Sequence, residues 1–180
     1  MKRIISIALV LAAAGANAQQ KPTPAVPPQT KGCDTPESHQ FDFWVGNWET
    51  FNNSDGSPAG TNNIEKLYKG CTIRENWIEP GLTGGSLTTY DVRDGKWHQA
   101  WTDSSGSWRT FVGGMVGGSM VMIWSHPSVR MPGKTAQERI TITPNPDGTV
   151  RQHGELSFDS VNWVDAYDIT YRRIAKRRTR

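Results

Sequence analysis

Two cysteines in 180 residues, Cys33 and Cys71, are too few for a cysteine-only metal centre, which takes four thiolates. No apolar run approaches the ~20 residues that cross a bilayer as a helix, and the longest is Ile4 to Ala14. Catalytic signatures are scarce as well. The histidines, His39, His98, His126 and His153, never fall at His-x-x-x-His or Glu-x-x-His spacing, and the chain has no Gly-x-Ser-x-Gly elbow and no phosphate-cradling glycine loop. The residues therefore predict no metal and no cofactor. Helical periodicity is also missing: no window of about eleven residues between Gly32 and Ile174 repeats its apolar positions at helical spacing.

What is present begins with an address. Lys2-Arg3, the apolar run Ile4 to Ala14 and the small-x-small site Ala16-Asn17-Ala18 have the layout of a secretory signal peptide, so residues 1–18 read as a leader and the protein as periplasmic or secreted. Gln19, rather than a lipoprotein cysteine, follows the cut. Residues 19–31, with Pro22, Pro24, Pro27 and Pro28, read as an extended tether, 32–174 as one domain, and 175–180 as a basic tail.

The formal charge of +3 includes Lys2 and Arg3. Gln19 to Tyr171 carries 12 basic against 17 acidic residues, and six further bases, Arg172, Arg173, Lys176, Arg177, Arg178 and Arg180, crowd the C-terminus. A mildly acidic body argues against nucleic acid as the partner, and the tail reads as a solvated terminus. In an oxidising compartment an even cysteine count suggests one disulfide, Cys33 to Cys71, the alternative being two separate buried thiols.

Short stretches rich in β-branched and aromatic residues recur every ten to fifteen positions, near 43–52, 61–69, 71–79, 85–92, 96–103, 107–116, 119–125, 136–143, 149–158 and 162–173. Asp55-Gly56, Pro80-Gly81, Asp94-Gly95, Gly117-Gly118 and Asn145-Pro146-Asp147-Gly148 supply hairpin turns, and Ser125 to Thr135 reads as a longer loop at a barrel mouth. The expected fold is all-β: a single closed antiparallel up-and-down barrel of about ten strands, since closure removes the unpaired edges of a flat sheet. Alternation along Phe41 to Thr50 places Trp44, Gly46 and Trp48 on one face of the first strand, with Phe43, Val45 and Asn47 on the other.

Gly46-x-Trp48 on a first strand, with Arg172 or Arg173 on the last, resembles the barrel-closing arrangement of the lipocalin-like calycins. Over most of the mature chain the sequence also resembles exported bacterial proteins of unknown function that open with F-D-F-W-x-G-x-W. The pattern continues here as Gly70-Cys71, Glu75-Asn76-Trp77, Gly95 to Asp103, Pro146 to Gln152 and Tyr171-Arg172-Arg173. The resemblance implies a calycin-like barrel, structural roles for Gly46, Trp48 and Arg172 or Arg173, and no established activity. Gly154 stands where such proteins are expected to carry an aromatic, which implies a roomier lumen.

In Lys96 to Asp103, Trp97, Gln99, Trp101 and Asp103 share a face, and two strands earlier Cys71, Ile73, Glu75, Trp77 and Glu79 do the same. With both faces inward, the lumen would carry indole walls and a few fixed polar points, the usual make-up of a small-molecule pocket, with Glu75, Trp77, Trp97, Gln99 and Trp101 as ligand-binding residues. The same tryptophans serve equally as core packing. Glu75 and Asp103 are the acids available for acid–base work, Glu75 because burial beside indole would raise its pKa. Haem held through His153 is a further alternative, opposed by that residue's polar neighbours. Three functions follow: a binding barrel for a small apolar or planar ligand, an isomerase or hydratase using a lumen carboxylate, or a cell-envelope interaction module.

Overall fold

The computed structural model describes residues 33–175. Ten strands run in chain order: β1 (Gly46–Asn52), β2 (Pro58–Leu67), β3 (Thr72–Glu79), β4 (Leu82–Asp91), β5 (Lys96–Asp103), β6 (Trp108–Val116), β7 (Ser119–Pro127), β8 (Thr135–Pro144), β9 (Val150–Ser157) and β10 (Val164–Arg173). Each pairs antiparallel with its chain neighbours, and β1 pairs with β10, so the sheet closes on itself without an edge. This is an all-β, closed antiparallel barrel of calycin-like architecture. Among the described residues no helix is long and apolar enough to cross a membrane. The expected leader (1–18) and tether (19–31), residue 32, and residues 176–180 of the expected tail lie outside the described residues.

Strand phase decides which side chains point inward. Along β3, Ile73, Glu75 and Trp77 are buried while Arg74 and Ile78 are exposed. The outer wall carries ion pairs such as Arg74 with Glu65 and Arg151 with Asp168 (2.8 Å), the reverse of the apolar-out pattern of outer-membrane barrels.

The two ends of the barrel differ. At one end Phe41, Trp44, Trp48, Trp97, Met120, Ile142 and Tyr171 are almost fully buried and fill the interior. The opening aromatic stretch supplies much of this plug, but not as a strand over its whole length. Asp42–Trp44 is a 3-10 turn, closed by Trp44 N–H to Phe41 O (3.2 Å) and Val45 N–H to Asp42 O (3.1 Å), and β1 begins only at Gly46. The expected start near residue 43 is thus corrected: the chain turns at Asp42–Trp44 and folds Phe41 and Trp44 across the barrel end before β1 begins. There Trp44 stacks on Phe41 with ring centroids 4.8 Å apart.

Arg173, opposite Trp48 in the register, lays its guanidinium 4.2 Å above the indole and donates to Val45 O (3.1 Å). Gly46 has φ +157°, a conformation that side-chain-bearing residues rarely adopt, and a Cβ there would also crowd that guanidinium. Arg172 points the other way and covers Phe51 at 4.5 Å. Arg173 is therefore the arginine of the closing arrangement.

Cys33 and Cys71 form a disulfide joining the segment before the plug to the head of β3. The long loop expected over Ser125 to Thr135 is shorter, 128–134, because β7 continues to Pro127 and pairs it with Thr135.

Candidate functional site

At the other end the lumen is open, a cavity of about 500 Å3 entered between the β1–β2, β3–β4, β5–β6, β7–β8 and β9–β10 connections. Its walls include Trp77, Trp101, Phe111, Ile140 and Tyr167, and Glu75, Gln99, Gln152 and Tyr171 also line it. Three rings pack over glycines on neighbouring strands. A Cβ on Gly60 would come 3.1 Å from the Trp77 indole, one on Gly84 2.5 Å from the Trp101 indole, and one on Gly154 would overlap the Tyr167 ring. Side chains at those three positions would push the rings across the lumen. The slot at Gly154, expected to make room, is occupied by Tyr167.

Glu75 is only 5% exposed. Asn62 Nδ2 donates to its Oε1 (2.7 Å) and Ser86 Oγ to its Oε2 (2.8 Å). From Asn62 the contacts continue to the Tyr171 hydroxyl (3.3 Å), which donates to Gln152 Oε1 (2.6 Å), and Gln152 Nε2 donates to the Tyr167 hydroxyl (2.9 Å). A polar chain thus runs from β4 through β3, β2, β10 and β9 and back to β10. Loss of water drives the Glu75 pKa upward, and the hydrogen bonds from Asn62 and Ser86 only partly oppose it. Tyr171 is pushed well above its ordinary value, first by burial and then by the nearby Glu75 charge.

A raised carboxyl pKa fixes the sign of a pH effect. Below about 4.5 Glu75 is protonated whether the chain is folded or not; as pH rises, the unfolded chain releases the proton first, so stability falls until the folded-state pKa is passed. Each pH unit across which the two states differ by one proton amounts to about 1.4 kcal/mol. Asp91, Asp103 and Asp159, whose pKa values are lowered, act in the opposite direction and at more acid pH. Urea melts from pH 4 to 8 should therefore show Glu75→Gln gaining on the parent as pH rises; parallel curves for the two proteins would refute the burial-driven shift.

Asp103 has a different task. Its Oδ1 accepts from Ser105 Oγ (2.5 Å), Ser105 N–H (3.0 Å) and Ser107 N–H (3.3 Å), and its Oδ2 accepts from Trp101 Nε1 (3.0 Å). The Ser105 hydroxyl above all, then the Trp101 indole, hold its carboxyl below the usual range. It clamps the β5–β6 turn and the Trp101 rotamer, and it stands at the mouth beside Arg109, which also reaches Glu138 (3.3 Å).

The structure gathers Glu75, Trp77, Gln99 and Trp101 around the cavity but not Trp97. Trp97 belongs to the plug, edge-on to Phe41 with ring centroids 5.7 Å apart and its Nε1 donating to Gln40 Oε1 (3.3 Å). Sharing a face with Trp101 did not suffice, since four residues along a strand are roughly 13 Å. His153 is placed on the outer face, Nε2 against Asp165 Oδ1 (2.7 Å), and no histidine is among the cavity's lining residues, so haem in this lumen would find no ligand in His153. Two groups bring three possible metal ligands together, Asp91 with Asp94 and His98, and His153 with Glu155 and Asp165. In each, one carboxylate is already engaged by arginine: Asp91 by Arg93, and Glu155 by Arg139.

Gln152, Tyr167 and Tyr171 line the cavity, and Asn62 and Ser86 are buried against Glu75; sequence reasoning selected none of the five for the site. The phase of Asn62 with Ile64, and of Tyr171 with Ile169, did mark them as inward-facing. Their partners lie on strands distant in sequence.

The fold and site together define a closed β-barrel, plugged at one end and holding an aromatic-walled, polar-floored cavity at the other. No protein-family model matches the chain, and no curated protein matches it.

Proposed function

We propose that the protein is a binding barrel whose open lumen takes one small, largely apolar or planar molecule. The observation that carries this reading is the cavity itself: about 500 Å3, bordered by Trp77, Trp101 and Tyr167, with Trp101 and Tyr167 packed where a side chain on Gly84 or Gly154 would displace them. Volumes of this order, apolar walls and a few fixed polar groups are the common make-up of small-molecule sites. The test is titration with N-phenyl-1-naphthylamine, an uncharged planar fluorophore. The expected result is saturable one-to-one binding with energy transfer from tryptophan, weakened several-fold by Trp101→Ala. Absence of saturable binding would refute the reading.

Burial of Glu75 in a hydrogen-bonded chain favours a second reading, acid–base catalysis on a hydrophobic substrate, because a carboxyl whose pKa is raised by burial is a better proton donor and acceptor than a solvated one. That reading requires turnover which titrates with Glu75 and disappears in Glu75→Gln while binding persists. Binding without turnover favours the first.

A further inference from the structure

We propose that the occupant of the lumen is a protonated amine on an aromatic or other planar apolar body, seated with its ammonium on Glu75 and its body between the indoles of Trp77 and Trp101. The inference rests on the binding reading above and adds the ligand's charge.

The first support is an imbalance of acceptors over donors. A carboxylate offers about four lone-pair sites. Asn62 and Ser86 fill one on each Glu75 oxygen, and Glu75 has no cationic partner among the described residues. Asn62 is 2% exposed, and its carbonyl Oδ1 is buried with no hydrogen-bond partner among those residues. Gln99, which lines the cavity, gives its Nε2 to Thr88 Oγ1 (3.0 Å). Its carbonyl oxygen receives no hydrogen bond within the described chain. Asn62 does not itself border the cavity, so the acceptors that do are Glu75 and the Gln99 carbonyl; a group that only donates suits them, and an ammonium has three donors and no acceptor.

The second support is charge. Five acidic residues and two arginines border the cavity, Arg139 and Glu155 from the strand face that also carries His153. Arg139 is held by both oxygens of Glu155 (2.7 Å each) and lies 4.0 Å from the Trp163 ring. Arg109 sits between Asp103 and Glu138. Both cations are thus compensated near the mouth, while the charge that Glu75 would carry deeper in the lumen is not. A buried charge is either paired or neutralised by a proton, and a cationic ligand supplies the missing pair.

Because burial raises the Glu75 pKa, amine binding should expel its proton at pH values where the empty site is protonated. The other titratable groups bordering the lumen are Glu79 on β3, Asp103 on β5, Arg109 on β6, Glu138 and Arg139 on β8, Glu155 on β9, and Tyr167 and Tyr171 on β10. Asp103 is displaced to more acid pH and the tyrosines to more alkaline pH, away from neutrality.

The test is isothermal calorimetry of the mature protein with three probes of one shape: 4-phenylbutylamine, 4-phenylbutanol and 4-phenylbutyrate. The amine is expected to bind at least tenfold more tightly than the alcohol, with the carboxylate weakest. Runs in buffers of different ionisation enthalpy should show net proton release for the amine alone. In Glu75→Gln the amine's advantage over the alcohol should collapse to within about twofold, and the proton release should vanish. An alcohol that binds as well as the amine would overturn the charge assignment and leave the binding reading standing. Failure of both amine and alcohol to bind would overturn both. The charge discrimination and proton release are read in the parent protein, so the outcome does not depend on the variant folding.

Discussion

Trp48→Ala is expected to lower the unfolding free energy by about 3–5 kcal/mol, the range for deleting a large aromatic from a packed core. In a domain of this size that is a fall of roughly 10 °C or more in Tm. Trp48 is fully buried, and its indole gathers three kinds of contact: an edge-on ring contact with Tyr171 at 6.0 Å, the Arg173 guanidinium at 4.2 Å, and its own Nε1–H donated to Trp44 O (2.9 Å). Truncation leaves a cavity at the plugged end and removes the surface that holds Arg173 over the β1–β10 seam. It also leaves the Trp44 carbonyl without its donor, so a polar group is uncovered as well as an apolar one. The site should be spared, because Trp48 is not among the residues lining the open cavity. Urea melts paired with the fluorophore titration would check both halves. A variant as stable as the parent would refute the closing role, and changed ligand preference at unchanged fold would refute the separation of plug from site. Trp101→Ala provides the contrast: it is only partly buried and borders open space, so its stability cost should be well under that of Trp48→Ala.

That separation of plug from site also shows what the sequence could and could not disclose. Ten strands were legible because a half-buried strand must alternate and a tight hairpin needs residues that tolerate positive φ, as at Gly56, Gly81, Gly95 and Gly148. Closure was legible from the cost of open edges. The 3-10 turn at Asp42–Trp44 was not, because Phe41 and Trp44 continue an apolar pattern that reads equally well as strand. What sets their conformation is the barrel end they cover, and that end is built by strands far along the chain. The same reason divided the tryptophans. Strand phase put Trp97 and Trp101 on one face correctly, but depth along the barrel decided that Trp97 packs on Phe41 while Trp101 borders the cavity. Glu75 was recognisable as an acid among indoles. Its partners Asn62, Ser86 and Tyr171 were not, since hydrogen bonding between strands depends on register, and register is set by every hairpin together.

Removing the disulfide, as Cys33→Ser with Cys71→Ser, is expected to cost about 2–4 kcal/mol, the second-largest effect foreseen. The cysteines are 38 residues apart, and chain-entropy arguments give roughly 4 kcal/mol for a loop of that size as the upper end. On this account the bond acts mainly by restricting the unfolded chain. The folded segment it anchors has its own restraints: Ser38 Oγ donates to Cys33 O (2.6 Å), and Phe41 and Trp44 are buried in the barrel end. Two mechanisms are separable by a double-mutant cycle with Trp44→Ala. If the disulfide works through the unfolded state, the two losses should add to within about 0.5 kcal/mol, as independent sites do. If it instead clamps the plug onto β3, losing the bond would already loosen Trp44, and the combined loss would fall short of the sum. The expected result is additivity, with the open cavity and its fluorophore affinity unchanged, because neither cysteine lines that cavity. A loss below about 1 kcal/mol would refute the entropic account, and a strongly sub-additive cycle would transfer the effect to the plug.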